Sequence, residues 1–408
     1  MNYKRFISCI VICFILLNCN FVFAIDSIHV WSDHLVSNSA KETSSNIATN
    51  ENTLNLESGS AILMEQNSGN ILYAHNIHEK LRPASVTKIM SILLIMEAID
   101  NGKISLTDSV PCSENASSMG GSQIWLDTTE TLTVQEMLKS ICVVSANDCT
   151  VAMAEFIAGS EEAFVQMMNS KAKELGMNDT TFKNCHGIDE DGHETSSYDI
   201  ALMSRELLIN HPSVTEYTTI WMDSIRDGKS ELVNTNKLIR NYKGATGLKT
   251  GSTSLALYNL SASATRNNLS LIAVIMKAPT TKQRFAEATK LLDYGFANYS
   301  SKSFGKKGDI VQSISVNKGI DRELNLCLEK DASILLKKGQ DSDISQNLTL
   351  NENISAPITK GDILGTISYT LDGEELEKIN LVAEKDVARF TFWNMTTSLY
   401  KKWFKLLR

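Results

Sequence analysis

The chain has 408 residues, with 39 basic against 47 acidic side chains and a formal net charge of −8. That length is enough to bury sizeable cores without a disulfide framework. An acidic balance argues against nucleic acid as a partner.

The N-terminus carries Lys4 and Arg5, an apolar run from Phe6 to Leu17, and Val22-Phe23-Ala24. This is the layout of a secretory signal peptide cleaved after Ala24, with an uncleaved anchor as the alternative. Loss of residues 1–24 removes two basic residues and no acid, so 39 against 47 becomes 37 against 47, a charge of −10. Cys9, Cys13 and Cys19 leave with it. The remaining Cys112, Cys142, Cys149, Cys185 and Cys327 are odd in number and scattered, which predicts buried free thiols and leaves a single bridge open. Cys185-His186 with His193 matches no usual zinc spacing, so no metal is expected.

Residues 25–53 are rich in Ser, Asn and Thr and read as a linker. Two short apolar runs, 61–64 and 71–74, flank Asn67-Ser68-Gly69-Asn70 and predict a β-hairpin. Pro83 then opens a run from Val86 to Ile99 that is apolar on every side, as in a helix buried inside a domain; Pro83 and Gly102 bound it at about 84–101. Ser85 and Lys88 stand three residues apart on its first turns, on one face. A charge at the start of an apolar helix is costly unless it is paired or used, and an amine kept neutral by burial can deprotonate a neighbouring serine.

A second helix is predicted from Thr133 to about Val143, with Glu136 completing a capping box. It is interrupted at Ser145-Ala146-Asn147-Asp148 and resumes to Ile157, so these small polar residues form a turn aimed at a cleft. Further helices are expected at 163–175 and 198–209. Lys249-Thr250-Gly251 occurs once, at the start of a strand-like run; strands near 258–262 and 269–276 and a helix at 281–294 follow. After Tyr299, short alternating runs near 310–316, 323–329, 332–337, 347–350, 363–370 and 376–382 predict a small all-β module. In the tail, 386–408, Phe390, Trp393, Leu399, Tyr400, Trp403, Phe404 and Leu407 recur at helical spacing among five basic residues and one acid. A basic helix with such a face lies in an anionic membrane surface; packing back on the β module is the alternative.

Taken singly the motifs are weak. Ser-x-x-Lys recurs at Ser170, Ser303 and Ser398, and Ser-x-Asn at Ser44, Ser113 and Ser315. In order, however, Ser85-x-x-Lys88, Ser145-x-Asn147 and Lys249-Thr250-Gly251 form the triple motif of penicillin-binding proteins and class A β-lactamases. With Pro83-Ala84, His186-Gly187, the β module and the basic tail, nearly the whole mature chain resembles the low-molecular-mass penicillin-binding proteins that are D-alanyl-D-alanine carboxypeptidases.

The resemblance implies an α/β (α+β) β-lactamase/transpeptidase-like domain at 54–300, with an antiparallel sheet and a helical subdomain. A β-sandwich-like domain at 301–385 and an amphipathic anchor helix at 386–408 would follow. It also implies a serine acyl-transfer enzyme at the outer face of a bacterial cytoplasmic membrane. Its substrate would be the D-Ala-D-Ala end of peptidoglycan stems; β-lactams would be ligands, and no cofactor is needed. By the same resemblance Ser85 is the nucleophile, Lys88 the base, Ser145 a proton relay and Asn147 a clamp on Lys88 and the substrate amide. Lys249 and Thr250 would bind the terminal carboxylate, Gly251 would let the substrate lie along the strand, and the N–H groups of Ser85 and Ser252 would form the oxyanion hole. Arg284 falls where the family carries an arginine near the carboxylate site. His186-Gly187 reads as a structural loop signature.

Four positions depart from the family. Leu255 stands where an acid or polar residue is usual and Leu257 where the family has glycine, Cys185 stands for a proline and Thr129 for a glycine. Three competing readings remain: a class A-like β-lactamase using Glu206, a stem-peptide-binding protein of weak or no turnover, and a transpeptidase.

Overall fold

The computed structural model describes residues 54–339, 344–371 and 373–397. The expected signal peptide (1–24) and linker (25–53) lie outside them. The hairpin is β1 (Ser60–Glu65) and β2 (Ile71–His75). Ala84–Thr87 form a 3-10 turn that runs into α1 (Lys88–Asp100). Strands β3 (Ser109–Pro111) and β4 (Thr131–Thr133) pair ahead of α2 (Val134–Val143), α3 (Asn147–Ala158), α4 (Glu161–Glu174) and α5 (Ser197–Asn210). A hairpin of β5 (Met222–Ile225) and β6 (Ser230–Val233) then leads to β7 (Ala245–Thr253), β8 (Leu257–Arg266), β9 (Leu269–Ala278) and α6 (Thr281–Asn298).

The central sheet has the order β2-β1-β9-β8-β7, each neighbouring pair antiparallel. Successive strand residues point to opposite faces, and here both faces are covered. Ile62, Met64, Ile272, Val274 and Met276 join the core built on α1, α2 and α3. Their neighbours Ala61, Leu63, Leu271, Ala273 and Ile275 join a second core with Ala288, Leu291 and Leu292 of α6. This explains why β1 and β9 read as unbroken apolar runs. Helix α1 is buried on every side, Lys88 included.

Residues 299–383 form the all-β module. Its strands are β10 (Tyr299–Gly305), β11 (Ile310–Ser315), β12 (Glu323–Leu328), β13 (Ala332–Lys337), β14 (Ser345–Leu350), β15 (Ile363–Leu371) and β16 (Glu374–Ala383). Five make a sheet of order β11-β12-β16-β15-β14, and β10 pairs with β13 across a core containing Leu326, Ile334, Tyr369 and Leu381.

Five features differ from expectation. The helix predicted from residue 84 begins with 3-10 geometry, and β10 follows α6 directly where no strand was expected. The β5–β6 hairpin lies in a stretch that reads only as polar. Lys249-Thr250-Gly251 sits in the middle of β7, not at its start. The tail is not helical from Asp386: Val387 is buried and bridges Ile358, Arg389 bridges Gly319, and helix occupies 392–397. Residues 398–408 lie outside the described set. The five mature-chain cysteines are free and buried, as expected. No helix among the described residues is long and apolar enough to cross a membrane.

Candidate active site

The 3-10 turn brings Ser85 and Lys88 onto one edge, because side chains three apart eclipse in this geometry. Lys88 Nζ lies 3.1 Å from Ser85 Oγ, 2.5 Å from Asn147 Oδ1 and 2.6 Å from the His186 carbonyl oxygen. Asn147 Nδ2 donates to the Gly120 carbonyl at 2.7 Å, which fixes the amide oxygen on the lysine side. A neutral amine has two hydrogens and one lone pair. The Asn147 and His186 oxygens can only accept, so they take both hydrogens and leave the lone pair for the Ser85 hydroxyl proton.

Burial is the main cause holding the Lys88 pKa well below the ordinary lysine value, and the charge of Lys249 adds to it. Lys249 is also buried and is pushed down to about 7, chiefly by desolvation, with the charge of Arg284 adding to it. Two lysines in one site are therefore both biased toward the neutral amine, and Lys249, at about 7, is partly charged near neutral pH.

Strand β7 passes directly over the nucleophile turn. A β-carbon on Gly251 would stand 2.8 Å from the Pro83 carbonyl oxygen and 2.9 Å from the amide nitrogens of Ser85 and Val86. Gly251 is thus required first by the protein's own close approach, which brings the Ser85 N–H beside the strand. Asn259 of β8 secures the turn from behind, donating to the Arg82 and Pro83 carbonyls at 2.8 and 3.0 Å. Thr250 Oγ1 shares a 2.7 Å hydrogen bond with Thr235 Oγ1, and Lys249 Nζ donates to the Thr250 carbonyl at 3.0 Å. Ser252, exposed, follows on the same strand.

Ser145 occupies the turn between α2 and α3 at φ +65°. Its buried hydroxyl has no hydrogen-bond partner among the described residues. Arg284 is not a solvated surface arginine. It is buried on α6, and its Nη1 donates to the Gly251 and Asn259 carbonyls, both at 3.2 Å. It therefore steadies the Lys-Thr-Gly strand from the side of α6.

His186 and Gly187 do more than mark a loop. The His186 carbonyl is a ligand of Lys88, and a β-carbon on Gly187, at φ +91°, would fall 1.9 Å from the Ala84 carbonyl oxygen. Burial depresses the His186 pKa to about 3, with Lys88 contributing, so the ring stays neutral. His193 is linked to Thr87 at 2.8 Å beneath the same turn. None of these backbone contacts, nor Thr235 or Asn259, was read from the sequence; only His-Gly in the family pattern hinted at them.

Leu257, Leu255 and Thr129, three of the departures from the family, sit in distinct surroundings. Leu257 pairs with Thr253 at φ +55°, a conformation that costs a side-chain-bearing residue about 1 kcal/mol and suits glycine. Leu255 is 61% exposed at the hairpin tip. Thr129 caps Asp127 through its amide and hydroxyl. Glu206 lies within the continuous helix α5, where its carboxylate is taken by Asn210.

A half-buried serine beside a buried lysine and a Lys-Thr-Gly strand, between an antiparallel sheet and a helical lobe, defines a penicillin-binding serine acyltransferase. Residues 46–280 match the family model for D-alanyl-D-alanine carboxypeptidase, and 299–389 the model for the C-terminal domain of penicillin-binding protein 5. The chain belongs to the D-alanyl-D-alanine carboxypeptidase family. It is 47% identical to the D-alanyl-D-alanine carboxypeptidase DacF of Bacillus subtilis (strain 168), over 86% of this chain and 90% of that protein. Among solved structures it is similar to penicillin-binding protein 5 from Haemophilus influenzae, with a TM-score of 0.69 and 34% identity over 82% of this chain and 98% of that one. It is also similar to penicillin-binding protein D2 from Listeria monocytogenes in its ampicillin-bound form. That match has a TM-score of 0.55 and 30% identity over 60% and 99% of the two chains.

Proposed function

We propose that this chain removes the terminal D-Ala from peptidoglycan pentapeptide stems through an acyl-enzyme on Ser85. The observation that carries this reading is the Lys88 amine, buried and held by two obligate acceptors with its remaining valence toward Ser85 Oγ.

The Ser85 proton passes to Lys88 Nζ as Oγ bonds to the carbonyl carbon of the penultimate D-Ala. The N–H groups of Ser85 and Ser252 receive the developing oxyanion; one such donor is worth about 3 kcal/mol in other enzymes. Lys249 and Thr250 bind the terminal carboxylate, with Arg284 fixing their strand. As the C–N bond breaks, the proton travels from Lys88 through Ser145 to the leaving amine and free D-Ala departs. Water then attacks the ester, with Lys88 taking its proton, and Ser85 is restored. β-Lactams enter by the same first step and remain on Ser85.

We further propose an exported protein in which residues 1–24 are removed and 25–53 form a linker. Residues 54–300 form the catalytic domain, 301–385 the β domain and 386–408 the anchor to the outer face of the cytoplasmic membrane. Support for the anchor comes from Phe390, Phe392, Trp393 and Met395, which are all exposed at the end of the β module. Exposed apolar side chains so close together are unusual unless they have a partner.

The test is release of D-Ala from a peptide ending in D-Ala-D-Ala. Wild type should release it and Ser85→Ala should not; equal release by both would end this assignment.

A further inference from the structure

The peptide segment that brings the His186 carbonyl to Lys88 is pinned from two elements, and one of the pins is a carboxylate that the mechanism does not use. The Cys185 amide donates to Glu161 Oε1 at 3.1 Å, and the Cys185 carbonyl accepts from Ser91 Oγ at 2.5 Å. Ser91 stands on α1, three residues after Lys88. The His186 ring is fixed as well. Its Nδ1 accepts from the Ile188 amide at 3.1 Å, so the proton of the neutral ring is on Nε2, which faces the same Glu161 oxygen at 3.5 Å. The Cys185 thiol also hydrogen-bonds this carboxylate. Burial, and then the charge of Glu161, push the thiol pKa well up, so it stays a donor.

An acid in the first turn of a helix is ordinary, and Glu161 opens α4 just after the N-cap Ser160. Its neighbour Glu162 is such a residue, exposed, with its side chain on Ser160. Glu161 is different. Its side chain is only 18% exposed, and among the described residues no lysine or arginine pairs with it. A carboxylate drawn out of water without a cation needs hydrogen-bond donors, and those it finds belong to Cys185 and His186. Cys185 stands where the family commonly has proline, which has no N–H to give. The clamp therefore depends on this chain's own residue.

This inference rests on the proposed function. We propose that Glu161 is a positioning residue for acyl transfer: by holding the Cys185–His186 peptide it keeps the His186 carbonyl on Lys88 Nζ, and so the lone pair of the amine toward Ser85. It touches neither the substrate nor the reacting atoms. Without it the Cys185 amide and the His186 ring lose their acceptor, and the carbonyl is free to shift from the amine. A displacement of about 1 Å in such a group costs up to roughly 100-fold in rate. Lys88 serves both acylation and deacylation, so the two steps slow together and KM holds.

The test compares Glu161→Ala, Glu161→Gln and Glu162→Gln in the full chain. It measures kcat and KM for D-Ala release from an acyl-D-Ala-D-Ala peptide, with benzylpenicillin titrated to completion to count competent sites. Glu161→Ala should lower kcat per titrated site about 10- to 100-fold and leave KM within about twofold. Glu161→Gln, whose amide oxygen can still accept the Cys185 N–H, should recover part of that loss, and Glu162→Gln should behave as wild type. An unchanged kcat in Glu161→Ala overturns the proposal. A loss that lies in KM, or in the number of titratable sites at an intact rate per site, does so too, because it marks a structural role. So does a loss as deep in Glu161→Gln as in Glu161→Ala, or an equal one in Glu162→Gln. A wild type that neither releases D-Ala nor takes up penicillin sinks the carboxypeptidase reading itself, and the positioning role with it.

Discussion

Asn147 Oδ1 stands 2.5 Å from Lys88 Nζ, and the Gly120 carbonyl on the other end of the same amide prevents the reverse orientation. Lys88 is thereby presented as an acceptor toward Ser85. Lys88→Ala should slow penicillin acylation by about 10²- to 10⁴-fold, the range for loss of a general base. Lys88→Arg should be no better, because a guanidinium keeps its proton. Stopped-flow acylation kinetics measure both; an active Lys88→Arg would exclude the base role.

Gly187 and Gly159 give a matched pair. Each has a positive φ, but a β-carbon at Gly187 meets the Ala84 carbonyl at 1.9 Å, whereas one at Gly159 would stand in open space. Gly159→Ala should cost about 1 kcal/mol in stability and leave acylation intact. Gly187→Ala should displace the nucleophile turn, cost about 1–3 kcal/mol or more and reduce acylation at least tenfold. Thermal unfolding and penicillin uptake would separate the two; equal behaviour would contradict the close packing under Ser85.

The pH dependence follows from the lysines. Lys249 must be charged to hold a carboxylate, and its pKa near 7 means that charge is lost as pH rises through neutrality. KM for a D-Ala-D-Ala peptide should therefore climb above about pH 7. Lys88 must be neutral, so acylation should weaken toward acid as it gains its proton. A bound carboxylate raises the Lys249 pKa, so the alkaline fall should appear at higher pH in kcat than in kcat/KM. A KM that falls or stays flat from pH 6 to 9 would count against Lys249 as the carboxylate site.

Much of this was legible because composition and periodicity are local. Continuous apolar runs gave β1, β9 and α1, and Thr133 with Glu136 gave the start of α2, where the capping box is present. The motifs gave Ser85, Lys88, Asn147 and Lys249, which the fold brings to one place. What escaped was non-local. The His186 carbonyl and the Asn259 amide act through positions set by packing, and a backbone oxygen leaves no mark on residue type. The buried side of Arg284 and the β5–β6 hairpin were hidden similarly, since polar strands such as Ser230–Val233 have little apolar signal.

Two deletions on either side of Arg389 test the proposed anchor apart from folding. Val387 is buried in the β module, whereas Phe392 and Trp393 are 74% and 75% exposed. Deleting 390–408 should abolish sedimentation with anionic vesicles and leave the melting temperature nearly unchanged. Deleting 386–408 should also destabilise the module by uncovering its core. Vesicle binding that survives both deletions would contradict the tail as anchor.

The most direct test of the Ser85–Lys88 account is intact mass before and after benzylpenicillin, with peptide mapping, on wild type, Ser85→Ala and Lys88→Ala. The account predicts one stable adduct on Ser85 in wild type, none in Ser85→Ala, and one that forms far more slowly in Lys88→Ala. An adduct on another residue, or none on a wild type shown to be folded, would contradict it.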